Sequence, residues 1–140
     1  MNSEQQSESE SEIGETSSRQ ASILLVEDDR SARRYLEVML QRSGYKVLTA
    51  ADGLEGLKLA LASEIDIVVT DAVMPNLGGV ELARFIRKNE KVSRLPIILL
   101  TGQENKSPGP GENLIDAFLN KPVKAEELKN CIEGLLSKKS

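Results

Sequence analysis

Four short stretches carry side chains able to do chemistry, and in each they follow an apolar run. Glu27, Asp28 and Asp29 follow Ile23 to Val26; Asp71 closes the run IDIVVTD; Thr101 follows Ile97 to Leu100; Lys121 and Pro122 follow Phe118 to Asn120. Three carboxylates brought close repel one another unless a cation neutralises them. Oxygen donors in a chain without histidine and with one cysteine favour a hard divalent ion. Few ligands with several retained waters suit Mg²⁺, whose shell is commonly completed by phosphate oxygens. An ordinary aspartate is ionised near neutral pH and can attack phosphorus without a general base. Phosphoryl transfer then needs positioning and charge neutralisation, which Mg²⁺ and the Lys121 ammonium can supply. The Thr101 hydroxyl can donate to a phosphoryl oxygen and so sense its presence.

For these side chains to meet, the apolar runs must be neighbouring strands. Short β-branched runs such as Ile65 to Val69 suit strands covered on both faces. Strand and helix patterns alternate five times: strands near 22–26, 46–49, 65–71, 96–100 and 118–120, with helices near 31–43, 79–89 and 124–136 and one more that opens after Asp52. The helices are expected to turn inward Ala32, Tyr35, Leu36, Met39 and Leu40; then Leu54, Leu57 and Leu61; then Leu82, Phe85 and Ile86; then Leu128, Ile132 and Leu135. Asp29 and Asp52 are expected to cap helix starts, and Gly44 to end the first helix. This alternation implies an α/β, doubly wound, five-stranded parallel sheet with right-handed crossovers. In such a sheet the carboxyl ends of the strands share one rim, where ligands bind. Taken singly, an aspartate after a strand is most often a cap, and a Lys-Pro pair a helix entry. Four strand ends that agree are harder to dismiss.

One crossover breaks the rhythm. GQENKSPGPGENLID places two prolines and two glycines where a fourth helix should lie, and they deny it backbone donors and helical dihedrals. The expectation is a degenerate fourth helix, an irregular connection with one short turn around Glu112 to Ile115. It is expected to be mobile when unphosphorylated and to be the part that orders on phosphorylation or partner binding. It lacks the spacing of a phosphate-binding loop.

Composition sets the remaining bounds. A chain of 140 residues makes one domain with a real core. The first twenty residues hold five glutamates and one arginine, the whole of the formal charge of −4. With almost no apolar content, this Ser/Glu-rich tail (1–20) is expected to be disordered, leaving one domain over 21–138. The balanced charge of the rest and the scarcity of aromatics give no footprint for nucleic acid. No stretch is long enough to span a bilayer and no signal-peptide pattern opens the chain, so no membrane partner and a cytoplasmic location are expected. Cys131, alone, is expected to be a small buried apolar residue.

The segments ILLVEDD, DIVVTDAVMPNLGG, PIILLTG and FLNKP resemble the receiver domain of response regulators in two-component signalling, of the chemotaxis-regulator kind, over about Ser22 to Leu136. The resemblance implies a flavodoxin-like strand order 2-1-3-4-5. It implies that Asp71 accepts a phosphoryl group from a phosphohistidine on a sensor histidine kinase or phosphotransfer protein. Asp28 and Asp71 would be direct Mg²⁺ ligands with the backbone carbonyl of Val73, and Glu27 would act through water. Thr101 would be the hydroxyl switch, Lys121 the phosphate-contacting lysine, Pro122 a cis-peptide proline and Phe118 the rotating aromatic. Positions two after the acceptor and two after the switch, Val73 and Gln103, would tune hydrolysis. The chain departs from the pattern at Leu114-Ile115, where Gly-Ala is common, and at Gly102, where Ala is common. These departures, with the short crossover, bear on the usual output surface.

Two other readings are set aside by particular residues. A phosphatase of the haloacid-dehalogenase type requires a second aspartate two after the first, and Val73 stands there. A pseudo-receiver would lack a residue of the chemistry, and all are present. The expected protein is a non-enzymatic, monomeric switch acting on an unknown downstream protein. It is either a stand-alone regulator or a receiver excised from a larger hybrid kinase or multidomain regulator.

Overall fold

The computed structural model of the protein describes residues 20–102 and 111–139. The acidic tail over 1–19 and the crossover residues 103–110 lie outside the described residues, and with them the expectations of disorder and of ordering on phosphorylation. The chain runs β1 (Ser22–Val26), α1 (Arg30–Arg42), β2 (Lys46–Ala50), α2 (Gly53–Ala62), β3 (Ile67–Asp71), α3 (Gly79–Lys88), β4 (Ile97–Thr101), a 3-10 turn (Glu112–Leu114), β5 (Ala117–Asn120) and α4 (Ala125–Lys139). The five strands form one parallel sheet in the order β2-β1-β3-β4-β5.

Strands β1, β3 and β4 are buried along their whole length, which is why they read as unbroken apolar runs rather than alternating ones. Alternate residues feed two cores. Leu24, Val26, Val68, Ile97 and Leu99 pack with Leu82, Ala83 and Ile86 of α3 and Ala60 of α2. Ile23, Leu25, Ile67, Val69, Ile98 and Leu100 pack with Leu36 and Leu40 of α1 and Leu128 and Ile132 of α4. Truncating any of these buried leucines or isoleucines to alanine costs roughly 2–5 kcal/mol.

The lower edge of the sheet is pinned by a repeated device. Asp66 and Asp116 each precede a strand, and each accepts from the first backbone N–H of its neighbour: Ser22 N–H at 2.7 Å and Ile97 N–H at 2.7 Å. The reciprocal backbone bonds run from Asp66 N–H to Ser22 O and from Asp116 N–H to Ile97 O. With strand starts and register fixed below, strand ends are aligned above.

Three inward-facing expectations are corrected. Tyr35, Leu54 and Phe85 are all at least half exposed. In α1 the buried line is Leu36 and Leu40, which leaves Tyr35 on the flank. In α2 the contact stripe is Gly53, Gly56 and Ala60, because the helix lies so close that a Cβ on Gly56 would press on Val26. That rotation turns Leu54 outward while Leu57 and Leu61 stay partly buried. In α3 the inward residues are Gly79, Leu82, Ala83 and Ile86, so the stripe centres on the alanine side and Phe85 falls outside it.

The short turn expected in the fourth crossover is the 3-10 turn Glu112–Leu114. Arg87 of α3 fastens it. Its guanidinium donates to Leu114 O at 3.1 Å, Ser93 O at 2.8 Å and Leu95 O at 2.6 Å, and pairs with Asp116 Oδ2 at 2.9 Å. Gly111, at φ 94°, lies against α3, where a Cβ would meet Val80 and Arg84.

Candidate functional site

The carboxyl ends of β1, β3, β4 and β5 meet at one rim. Glu27 continues β1 by one residue, its N–H donating to Ala50 O at 3.1 Å, and this draws its side chain into the sheet, where the residue is 1% exposed. Its Oε2 accepts from Asp29 N–H at 3.1 Å, whereas its buried Oε1 has no hydrogen-bond partner. Burial pushes the Glu27 carboxyl above the ordinary glutamate range; the Asp29 N–H opposes this, the charges of Asp71 and Asp28 add to it, and Lys121 relieves it.

Asp28 is exposed, in the turn that leads into α1. Asp29 caps α1 by accepting from Ala32 N–H at 2.8 Å. Arg33, one helical turn on, donates from Nη1 to Glu27 O at 2.8 Å and reaches Asp28 O at 3.4 Å. Asp71 ends β3 opposite Leu100, and Ala72 N–H donates to Leu100 O at 2.9 Å. The chain then turns tightly into α3, and a Cβ on Gly79 would collide with Asp71 O. The loop between them leans on α2: Gly53 N–H donates to Leu77 O at 3.1 Å, and Asn76, at φ 71°, donates from Nδ2 to Asp52 Oδ2 at 3.2 Å.

Lys121 leaves β5 with its N–H bonded to Thr101 O at 2.8 Å, and its peptide bond to Pro122 is cis, as the resemblance implied. Its Nζ stands 2.9 Å from Asp71 Oδ2 and 3.5 Å from Glu27 Oε1. Burial alone would lower the lysine pKa, but the hydrogen bond to Asp71 and the charge of Glu27 outweigh it, and the net shift is upward. The ammonium is therefore held charged between two carboxylates.

One carboxylate oxygen from each of Glu27, Asp28 and Asp71 lies within 4.8 Å of the others. The donor set is all oxygen, and the buried Glu27 Oε1 accepts no hydrogen bond, with the Lys121 ammonium 3.5 Å away. Both features fit a hard divalent cation such as Mg²⁺. Thr101 is at the same rim, 5% exposed, with its hydroxyl donating to Asn120 Oδ1 at 3.2 Å. The Val73 side chain is 76% exposed, and Phe118 pairs with Leu99, two residues below the rim, with 44% of its surface exposed. Sequence reasoning missed Arg33, Asn120 and the Asp52–Asn76 link. Only Arg33 left a signal, since it follows the capping aspartate by one turn.

The sequence profile of the response regulator receiver domain matches residues 23–133. Among curated relatives, the protein PilH of Pseudomonas aeruginosa is 33% identical over 120 residues, covering 84% of this chain and 98% of PilH. Hybrid signal transduction histidine kinase D of Dictyostelium discoideum is 34% identical over 119 residues, 84% of this chain; the chain spans only 8% of that kinase's length. Among solved structures, the response regulator TrrA of Thermotoga maritima, in complex with Mg²⁺ and BeF, superposes with a TM-score of 0.76 at 34% identity. The superposition covers 82% of this chain and 98% of TrrA.

Proposed function

The chain belongs to the response regulator receiver domain family of two-component signalling, and from that premise we propose that Asp71 is its phosphoryl acceptor. The observation that carries this reading is the Lys121 ammonium 2.9 Å from Asp71 Oδ2, beside two further carboxylates. An Asp71 carboxylate oxygen attacks the phosphorus of a phosphohistidine. A P–O bond forms, the P–N bond breaks, and its electron pair returns to the imidazole, which leaves with a proton. Lys121 orients the acceptor and balances charge on the transferred group. Thr101, at the end of the neighbouring strand, supplies a hydroxyl donor to the phosphoryl oxygens.

Receiver domains bind Mg²⁺ at an acidic pocket, and TrrA carries it together with a BeF group. Here Asp28, Asp71 and the Val73 carbonyl are proposed as direct ligands, with Glu27 held one water away. Bound there, Mg²⁺ would offset the carboxylate repulsion and draw charge from the phosphoryl oxygens. Phe118, on the outer strand, is proposed as the aromatic that reports the change.

Receiver domains take their phosphoryl groups from histidine kinases or phosphotransfer proteins. For this chain such a donor, a downstream protein target, a monomeric state and a cytoplasmic setting are proposed together. None of its described helices is long and apolar enough to cross a membrane. The test is incubation with a small phosphoramidate or acetyl phosphate and Mg²⁺, followed by intact-mass measurement. One phosphoryl group per chain, mapped to Asp71, supports the reading. Continuous turnover of phosphomonoesters, or no modification, rejects it.

A further inference from the structure

The Thr101 hydroxyl is already engaged before any phosphoryl group arrives. It donates to Asn120 Oδ1 at 3.2 Å, straight across the β4–β5 pairing, where the two residues are register partners. The backbone there is closed by Lys121 N–H donating to Thr101 O at 2.8 Å. The bond between the side chains is therefore broken by side-chain rotation, with the strands still paired. Alternation along β5 puts Asn120 on the same face as Phe118, and both are exposed.

We propose that Asn120 is a latch on the Thr101 hydroxyl, a positioning residue that holds it toward the outer strand and opposes its turn to the phosphoryl group. This rests on the reading of Asp71 as acceptor and Thr101 as its sensor. A threonine hydroxyl has one proton to donate and a few staggered positions in which to donate it. The Asn120 carboxamide and a phosphoryl oxygen therefore compete for the same donor. The anionic oxygen is the stronger acceptor and wins once present. The neutral bond it displaces still weakens capture, by roughly two- to tenfold in the equilibrium. Capture also releases the Asn120 carboxamide on the face shared with Phe118, so the surface changes its hydrogen bonding at the moment the hydroxyl moves.

The test is the dissociation constant for beryllofluoride in saturating Mg²⁺, read by NMR titration in wild type, Asn120→Ala, Thr101→Val and the double variant. Asn120→Ala should bind about two- to tenfold more tightly than wild type. Adding Asn120→Ala to Thr101→Val should change nothing further, because no hydroxyl remains to be released. A general effect of the substitution on the fold would instead shift both backgrounds alike, and that result overturns the latch. Unchanged or weaker binding by Asn120→Ala, with wild type binding normally, also overturns it while leaving the acceptor reading intact. If wild type itself binds no beryllofluoride, the acceptor reading fails and the latch falls with it.

Discussion

Glu27 Oε1 and Lys121 Nζ stand 3.5 Å apart at the floor of the acidic pocket, too far for a good hydrogen bond, although Glu27 is almost wholly buried. The lysine instead sits closer to Asp71, at 2.9 Å, and one ammonium serves two buried carboxylates. The arrangement leaves residual negative charge, and a divalent cation is the natural counter-charge.

Mg²⁺ should therefore stabilise the fold. A ligand that binds only the native state adds about 1.4 kcal/mol at tenfold saturation. Thermal unfolding with and without millimolar Mg²⁺ measures this directly, and Asp28→Asn should remove most of the response. An unshifted wild-type midpoint would show that the carboxylates are not a cation site.

The stability of the metal-free protein should carry a pH signature from Glu27. Its pKa is raised, first by burial, so the folded chain holds that proton more tightly than the unfolded chain. Such a group contributes stability that is full below its unfolded pKa and is lost as pH rises through the folded one. Lys121, also raised, keeps its contribution at neutral pH and loses it only in alkali. In chelator, urea unfolding from about pH 4 to about pH 8 should show wild type losing ground to Glu27→Gln as pH rises. A constant gap between the two proteins, or one that moves the other way, contradicts the assignment.

Asp71→Asn should abolish phosphorylation by small-molecule donors while preserving the far-ultraviolet spectrum and a cooperative unfolding transition. The amide is nearly the same size but is not a nucleophile, and it still accepts from Lys121. Phosphate found on another residue of the wild-type protein would remove Asp71 from its role.

Val73→Asn should shorten the life of the phosphorylated form. Val73 is 76% exposed, so the substitution leaves the packing alone, and valine cannot orient an attacking water where a carboxamide can. Decay of the acyl phosphate, followed by mass after donor removal, gives the answer. Equal or slower loss from the variant would mean that this position does not govern hydrolysis here.

Arg87→Ala should cost roughly 2–4 kcal/mol, because the guanidinium satisfies three backbone carbonyls and pairs with Asp116. The loss should appear in denaturant unfolding without touching the Asp71–Lys121 pair. A variant as stable as wild type would mean that water replaces the clamp.

Much of this protein was legible in its residues. The unbroken apolar runs of β1, β3 and β4 could only be strands covered on both faces. Their shared carboxyl rim then brought Glu27, Asp28, Asp71 and Lys121 together, because parallel pairing aligns strand ends however far apart they lie in the chain. The short 3-10 turn Glu112–Leu114 was equally readable, since proline and glycine disfavour a longer helix through their own backbone wherever they stand. What the residues could not decide was rotation and reach. Leu54 and Phe85 have the hydrophobicity of core residues, but the face a helix buries depends on how closely its glycines and alanines let it approach the sheet. Arg33 and Asn120 look like any surface arginine and asparagine. Their roles come from partners supplied by the turn at Glu27 and Asp28 and by the neighbouring strand at Thr101. Periodicity is a property of one segment, and so it is written in the sequence; a hydrogen bond between two segments exists only once packing has set the distance between them.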